Sequence, residues 1–203
     1  MTRTPTVATL TGIVDLLEPD PVTIDPRAMA HHLAQLNRYA GALELPFSVA
    51  QHSVLVMEIF KRRNPGMPAI YALLHDAPEY VWGDMIRPTQ EALESYFPGF
   101  RRVLQGLHAR FDRAVRIRFG LPDPSIEVLA AVHEADEIAL ATEWRGYMPE
   151  AAGPCPVTAQ PARFCPKPLP WTGAADLFLT TLNYELAHFA NEDQVLAAEG
   201  ARS

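Results

Sequence analysis

Ala69-Ile70-Tyr71-Ala72-Leu73-Leu74-His75-Asp76-Ala77-Pro78-Glu79 is an apolar run that closes on an imidazole and a carboxylate set side by side. Neither this run nor the rest of the chain shows a convincing alternating strand pattern, and the run reads as a helix from about Pro68 to Tyr80. Placing the His75-Asp76 doublet on an apolar segment costs free energy unless something compensates it. A divalent cation compensates both groups at once, because neutral imidazole and carboxylate are ordinary ligands for such ions.

Working outward, the same helical spacing recurs. Asp25-Pro26 is a helix start, an N-cap followed by proline at the first helical position, with Met29, Leu33, Leu36 and Tyr39 as the apolar stripe and Gly41 as the stop. Ser48 caps a second helix carrying Val49, His52, Val56 and Ile59, which ends near Arg63-Asn64-Pro65-Gly66. After the doublet helix come a loop through Pro88, a short helix capped by Thr89, and a helix from near Pro98 to Phe119 with Val103, Leu107, Phe111 and Val115 as its stripe. Ser125 to Arg145 is a long apolar helix, and Asp176 to Ala190 a final one. Residues 1–24 read as extended. Residues 148–171 hold seven prolines and read as a loop or arm packed over the body, with Trp171 as its anchor. The fold class is therefore all-α, a helical bundle of about five core helices. Residues 1–147 form its core, and residues 148–203 form an arm and C-terminal helix packed on the same domain.

The bulk properties narrow the function. The chain has 203 residues, 48% hydrophobic and 20% charged, which suits one soluble domain. A net charge of -7 argues against a non-specific nucleic-acid or membrane-surface binder. It leaves a phosphorylated small substrate open, because a bound cation supplies positive charge locally. No apolar run approaches a membrane span and no signal-peptide core is present, so a cytoplasmic location is expected. The two cysteines, Cys155 and Cys165, both lie in the Pro-rich arm; they form no Cys-x-x-Cys pair, and a disulfide between them is conceivable but disfavoured in a reducing compartment.

If the doublet binds a cation, further ligands must come from neighbouring helices. His52 lies one turn inside the second helix among largely apolar residues, and Asp136 is a carboxylate in the Ala-rich helix around Ala130–Leu140. His52, His75, Asp76 and Asp136 make a set of two imidazoles and two carboxylates, suited to Mn, Co, Fe or Zn with positions left for water and substrate. His133-Glu134-x-x-Glu137 lacks the second histidine of a zinc-protease helix. His31-His32 reads as a polar surface pair, and His108 and His188 read as structural.

A lone His, a His-Asp doublet and a distant helical Asp together resemble the HD-domain phosphohydrolases. Asn37-Arg38-Tyr39, Val49-Ala50-Gln51-His52-Ser53, Leu73-Leu74-His75-Asp76-Ala77-Pro78-Glu79 and Gly83-Asp84 extend the resemblance to the bacterial 5′-deoxynucleotidases and their phage-encoded relatives, over roughly residues 25 to 145. The resemblance implies metal-dependent cleavage between the 5′-oxygen and α-phosphorus of a 2′-deoxynucleotide. Arg38 then contacts phosphate, Glu79 handles protons, Asp84 holds the deoxyribose 3′-hydroxyl, Tyr39 crowds the sugar 2′ position, and Trp82 either walls the pocket or packs in the core. It implies one resident divalent cation, with Mg possible alongside substrate phosphates, a small-molecule partner and no nucleic acid or membrane. A homo-oligomer is also expected. Relatives commonly read Gly-Asp-Leu-Pro-x-Pro-x-Lys after the doublet helix, where this chain has Gly83-Asp84-Met85-Ile86-Arg87-Pro88-Thr89-Gln90. That departure leaves open a monophosphate or a triphosphate substrate. A non-catalytic nucleotide binder on the same fold is the alternative of another class, disfavoured by retention of Arg38, Glu79 and Asp84.

Overall fold

The computed structural model describes residues 4–200, with side chains through residue 191. Eight α-helices and one short hairpin make up this span: β1 (Thr6–Thr9), β2 (Gly12–Asp15), α1 (Pro26–Gln35), α2 (Val49–Arg63), α3 (Ile70–Leu73), α4 (Glu79–Trp82), α5 (Arg87–Tyr96), α6 (Phe100–Phe119), α7 (Ile126–Tyr147) and α8 (Trp171–Gly200). The fold is an all-α bundle. α2 lies at its centre, packed against α1, α3, α7 and α8, and α8 also covers α1 and α3. The core around Phe47, Phe60, Phe111, Phe178, Met29, Leu55 and Leu182 is fully buried, and His52 is buried within it.

Local chemistry sets the helix starts. The Asp25 carboxylate accepts from the backbone N–H of Arg27 at 2.8 Å and of Ala28 at 3.0 Å. Ser48 accepts from Gln51 N–H at 3.3 Å and Ser125 from Val128 N–H at 3.3 Å. Each side chain satisfies amides that the first helical turn leaves without carbonyl partners.

Six segments differ from the sequence reading. The extended N-terminus forms a two-stranded antiparallel hairpin, pairing Val7 with Val14 and Thr9 with Gly12. The Leu10 amide is donated to His32 Nε2 at 3.2 Å, so this half-buried histidine pins the hairpin to α1 and is no free surface group. α1 stops at Gln35, short of Tyr39, because Leu36 and Arg38 pair with the next segment: Val49 N–H donates to Leu36 O at 3.0 Å and Arg38 N–H to Phe47 O at 2.9 Å. In α6 the buried stripe is Leu104, Phe111, Ala114 and Val115, whereas Val103 is exposed, so the buried face is rotated by one residue near its start. α5 starts at Arg87, two residues before Thr89, and α8 starts at Trp171, five before Asp176.

The sixth difference bears on the site. The doublet helix is not continuous; it is two single turns, α3 and α4, joined by a tight turn. Pro78 has no N–H to give to Leu74 O, and proline disfavours helical geometry in the residue before it. Ala77 N–H instead donates to Leu74 O at 2.9 Å and Glu79 N–H to Asp76 O at 3.0 Å, both three residues back. His75 and Asp76 therefore sit in an overwound connector and not on a helix face.

The Pro-rich arm contains one 3-10 turn, Glu150–Ala152. It is tied to the body by Gln51, which donates to Lys167 O at 3.1 Å and accepts from Leu169 N–H at 2.9 Å, and by Thr142, which accepts from Ala162 N–H at 2.8 Å. Gly146 is the close-approach point, since a Cβ there would lie 2.7 Å from Cys165 Sγ. Cys155 and Cys165 are both free thiols. Trp171 stands at the junction of arm and α8, edge-on to His31 with ring centroids 5.3 Å apart. No helix among the described residues is long and apolar enough to cross a membrane.

Candidate metal centre and the pocket around it

Three elements bring the predicted ligands together: α2 supplies His52, the α3–α4 connector His75 and Asp76, and α7 Asp136. His52 Nε2 lies 3.1 Å from Asp136 Oδ1 and 3.5 Å from Asp76 Oδ2. His75 Nε2 lies 3.2 Å from Asp76 Oδ2 and 3.9 Å from Asp136 Oδ1. One ligand atom each from His52, His75 and Asp76 fall within 4.8 Å of one another, the spacing of a group able to hold a metal ion.

The fit of a cation to these residues is decided by the nitrogens. His75 Nδ1 is 2.8 Å from the Ala72 carbonyl, which only accepts, so Nδ1 carries the proton and Nε2 the lone pair. His52 Nδ1 is 2.6 Å from Glu143 Oε1, which commits that nitrogen in the same way. Both Nε2 atoms are buried and lack an aligned hydrogen bond. Donor separations of ~3.0–3.4 Å follow from ~2.1 Å metal–ligand bonds at octahedral or tetrahedral angles. The four separations given above straddle that range, and a metal-bound imidazole whose second nitrogen donates to a carboxylate or carbonyl is the usual arrangement. The residues fit a divalent cation held by His52, His75 and Asp76, with Asp136 adjoining.

The electrostatics agree. Burial and Arg38 push the His52 imidazole down, but Glu143 and Asp136 outweigh them and raise it to about 9. Burial raises the Asp136 and Asp76 carboxyls, yet both end below their ordinary values because the histidines lie against them. The cluster is negative enough to hold an imidazolium when no cation neutralises it.

Arg38 and Tyr39 reach the cluster from a strained loop. Tyr39 and Ala40 adopt φ of 56° and 52°, a left-handed conformation that side chains other than glycine avoid. Strain of this kind persists only where surroundings over-determine it, and it concentrates at functional sites. Here the Tyr39 hydroxyl donates to Glu143 Oε2 at 2.7 Å, Arg38 Nε donates to the same oxygen at 3.4 Å, and Arg38 Nη1 stands 3.9 Å from Asp76 Oδ2. The guanidinium also lies over the Tyr39 ring, 5.3 Å from its centroid.

Glu143 is thus the hub, and the sequence reading missed it. It is fully buried on α7, and burial alone would raise its carboxyl; His52 and Arg38 hold it below the ordinary value instead. Its signal was present in the sequence: it follows Asp136 by seven residues, two helical turns, and so shares its face.

Glu79 and Asp84 belong to the same neighbourhood. Burial is the main cause raising both carboxyls, and the charge of Asp76 adds to it in each. Glu79 Oε2 and Asp84 Oδ2 are enclosed without a hydrogen-bond partner. Trp82 is half-buried, its indole 5.9 Å from the His108 ring at a 50° tilt. His108 is half-buried with its Nε2 enclosed and unpartnered, and burial lowers its basicity against the opposing charge of Asp76. His133 is exposed and Glu137 half-buried on α7, 3.9 Å apart, and neither has a contact with the ligand cluster.

No family model matches the chain. It is 40% identical over 136 residues to an uncharacterized protein of Rhodobacter capsulatus, a match covering 64% of this chain and 66% of that one. It is 33% identical over 131 residues to YfdR of Escherichia coli, likewise uncharacterized, with 64% of each chain covered. The chain thus spans just under two thirds of the length of these curated relatives, and neither name carries an activity.

Proposed function

We propose that this protein is a metal-dependent phosphohydrolase of the HD type that converts a 2′-deoxynucleoside 5′-monophosphate to deoxynucleoside and phosphate. The observation that carries the reading is that one carboxylate oxygen, Asp76 Oδ2, lies 3.2 Å from His75 Nε2, 3.5 Å from His52 Nε2 and 3.9 Å from Arg38 Nη1. A cation centre and a phosphate-gripping guanidinium flank the same point. The family resemblance adds the substrate class.

In the hydrolysis a water oxygen forms a bond to phosphorus, the bond from phosphorus to the 5′-oxygen breaks, and a proton passes to that 5′-oxygen. His52, His75, Asp76 and Asp136 would hold the cation, an Mn, Co, Fe or Zn ion, which supplies Lewis acidity toward the phosphoryl group and the water. Arg38 binds the phosphate oxygens through parallel N–H donors and offsets charge developing on them. Glu79, whose carboxyl is raised well above its ordinary value by burial and by Asp76, is the proton-transferring carboxyl. Asp84 accepts from the sugar 3′-hydroxyl, and the Tyr39 ring, fixed by Glu143, limits space at the 2′ position.

A monophosphate suits the charge here better than a triphosphate. Among the described residues, Arg38 is the guanidinium that meets the cluster, at Asp76 and Glu143. Gln90, at the position where relatives carry lysine, donates to Met85 O at 2.7 Å and closes its own loop. A homo-oligomer in the cytoplasm belongs to the same proposal. Protein loaded with Mn or Co and offered a panel of deoxynucleotides should release phosphate from the monophosphates. With bound metal confirmed, no release from any of them would defeat the reading.

A further inference from the structure

Among the enclosed polar atoms without a hydrogen-bond partner are Glu79 Oε2, Trp82 Nε1, Asp84 Oδ2 and His108 Nε2. Buried polar atoms are normally satisfied, and an exception asks for a ligand or a chemical role. The reaction proposed above uses Glu79 and Asp84. It does not use Trp82 or His108.

These two residues come from different elements and meet in space. Trp82 ends α4, where Gly83 turns the chain at φ 78° before Asp84, and His108 lies on α6. Their rings are 5.9 Å apart and inclined at 50°, and both are half-buried with the polar nitrogen wholly enclosed. The indole N–H only donates. Burial lowers the basicity of His108, so its imidazole is neutral near pH 7. A neutral donor, a neutral ring nitrogen and two aromatic surfaces do not suit phosphate, which Arg38 and the cation cluster already serve. They suit an uncharged, planar heterocycle with hydrogen-bonding edges.

We infer that Trp82 and His108 form the subsite that takes the substrate's nucleobase, with the indole N–H and the imidazole Nε2 pairing with polar atoms on its edge. This rests on the nucleotide phosphohydrolase reading. The nucleotide then runs from phosphate at Arg38, past the sugar at Asp84, to the base at α6. His108 becomes a residue that sets base preference.

The test compares wild-type protein with Trp82→Phe, which keeps an aromatic ring and removes the N–H, and His108→Leu, which keeps bulk and removes Nε2. Substrates are the four deoxynucleoside monophosphates and 2-deoxyribose 5-phosphate, which has sugar and phosphate but no base. The ratio of kcat/KM for a deoxynucleotide over 2-deoxyribose 5-phosphate should fall at least tenfold in each variant, and preference among bases should narrow. An unchanged ratio in both folded variants overturns the inference. Calorimetric binding of the four unphosphorylated deoxynucleosides separates it from the hydrolase reading. If nothing is hydrolysed but a deoxynucleoside binds at least tenfold more weakly to His108→Leu, the subsite stands and the hydrolase reading fails. If wild-type protein hydrolyses deoxynucleotides and His108→Leu binds and cleaves them unchanged, the hydrolase stands and the subsite falls.

Discussion

Replacing Glu143 perturbs both halves of the site at once, and the size of the effect follows from its three contacts. Oε1 accepts from His52 Nδ1 at 2.6 Å, and Oε2 accepts from the Tyr39 hydroxyl at 2.7 Å and Arg38 Nε at 3.4 Å, all with a fully buried carboxylate. Glu143→Ala leaves a guanidinium and an imidazole buried without their counter-charge, a class of change that costs ~3–5 kcal/mol. Against a total stability of ~5–15 kcal/mol, this threatens the fold itself. Glu143→Gln is the informative variant: it keeps the shape but leaves one acceptor oxygen for three donors. Losing the carboxylate that orients a ligating histidine should weaken metal binding ~10–100-fold. Denaturant unfolding of metal-free protein reads the stability, and calorimetric titration with Mn or Co alone reads the affinity. Tyr39→Phe removes one contact on the other oxygen and should leave metal affinity within a few-fold of wild type. A folded Glu143→Gln protein with unchanged metal affinity would refute the role given to Glu143.

Asp76→Asn should abolish metal occupancy, and elemental analysis finding full metal in that variant would remove Asp76 from the ligand set. Glu79→Ala should keep its metal and lose turnover by ~100-fold or more, the scale of a general acid or base; normal turnover would show another group moves the proton. His52 is raised from 6.5 to about 9 in the metal-free protein, so its protonation stabilises the fold fully below about 6.5 and that contribution is lost as pH rises through about 9. Unfolding of metal-free protein between pH 6 and 9.5 should show this decline. Because the proton must leave before a cation binds Nε2, metal affinity should rise over the same window; a pH-independent affinity would contradict the coupling. Gly146→Ala sets a methyl against Cys165 and should destabilise the protein by ~1–3 kcal/mol unless the arm shifts, which urea unfolding would measure.

Much of the fold was legible because its signals are local. Asp25-Pro26, Ser48 and Ser125 each start a helix where a side-chain oxygen meets the first-turn amides. The candidate cation group was legible for a different reason: His52, His75 and Asp76, with Asp136 beside them, are polar groups on otherwise apolar segments. What escaped depends on long-range contacts. The left-handed turn at Tyr39 and Ala40 has no glycine to announce it before Gly41, and it is stabilised by Glu143, more than a hundred residues away. The overwound His75-Asp76 connector comes from Pro78 acting on a run whose composition is helical. Glu143 escaped because its partners His52, Tyr39 and Arg38 lie on other elements far away in sequence and meet it only in the fold. His108 has no partner pattern in sequence; only packing of α6 against Trp82 shows its enclosed nitrogen.

The central claim is cleavage between the 5′-oxygen and the α-phosphorus under metal dependence. Its most direct measurement is product analysis of dAMP and dATP, run in parallel in ¹⁸O-labelled water with Mn- or Co-loaded protein and with Asp76→Asn as control. The account predicts unlabelled deoxyadenosine and singly labelled phosphate from dAMP, slower reaction with dATP, and neither product from Asp76→Asn. Label in the nucleoside, or no deoxyadenosine from either nucleotide with metal bound, would contradict it.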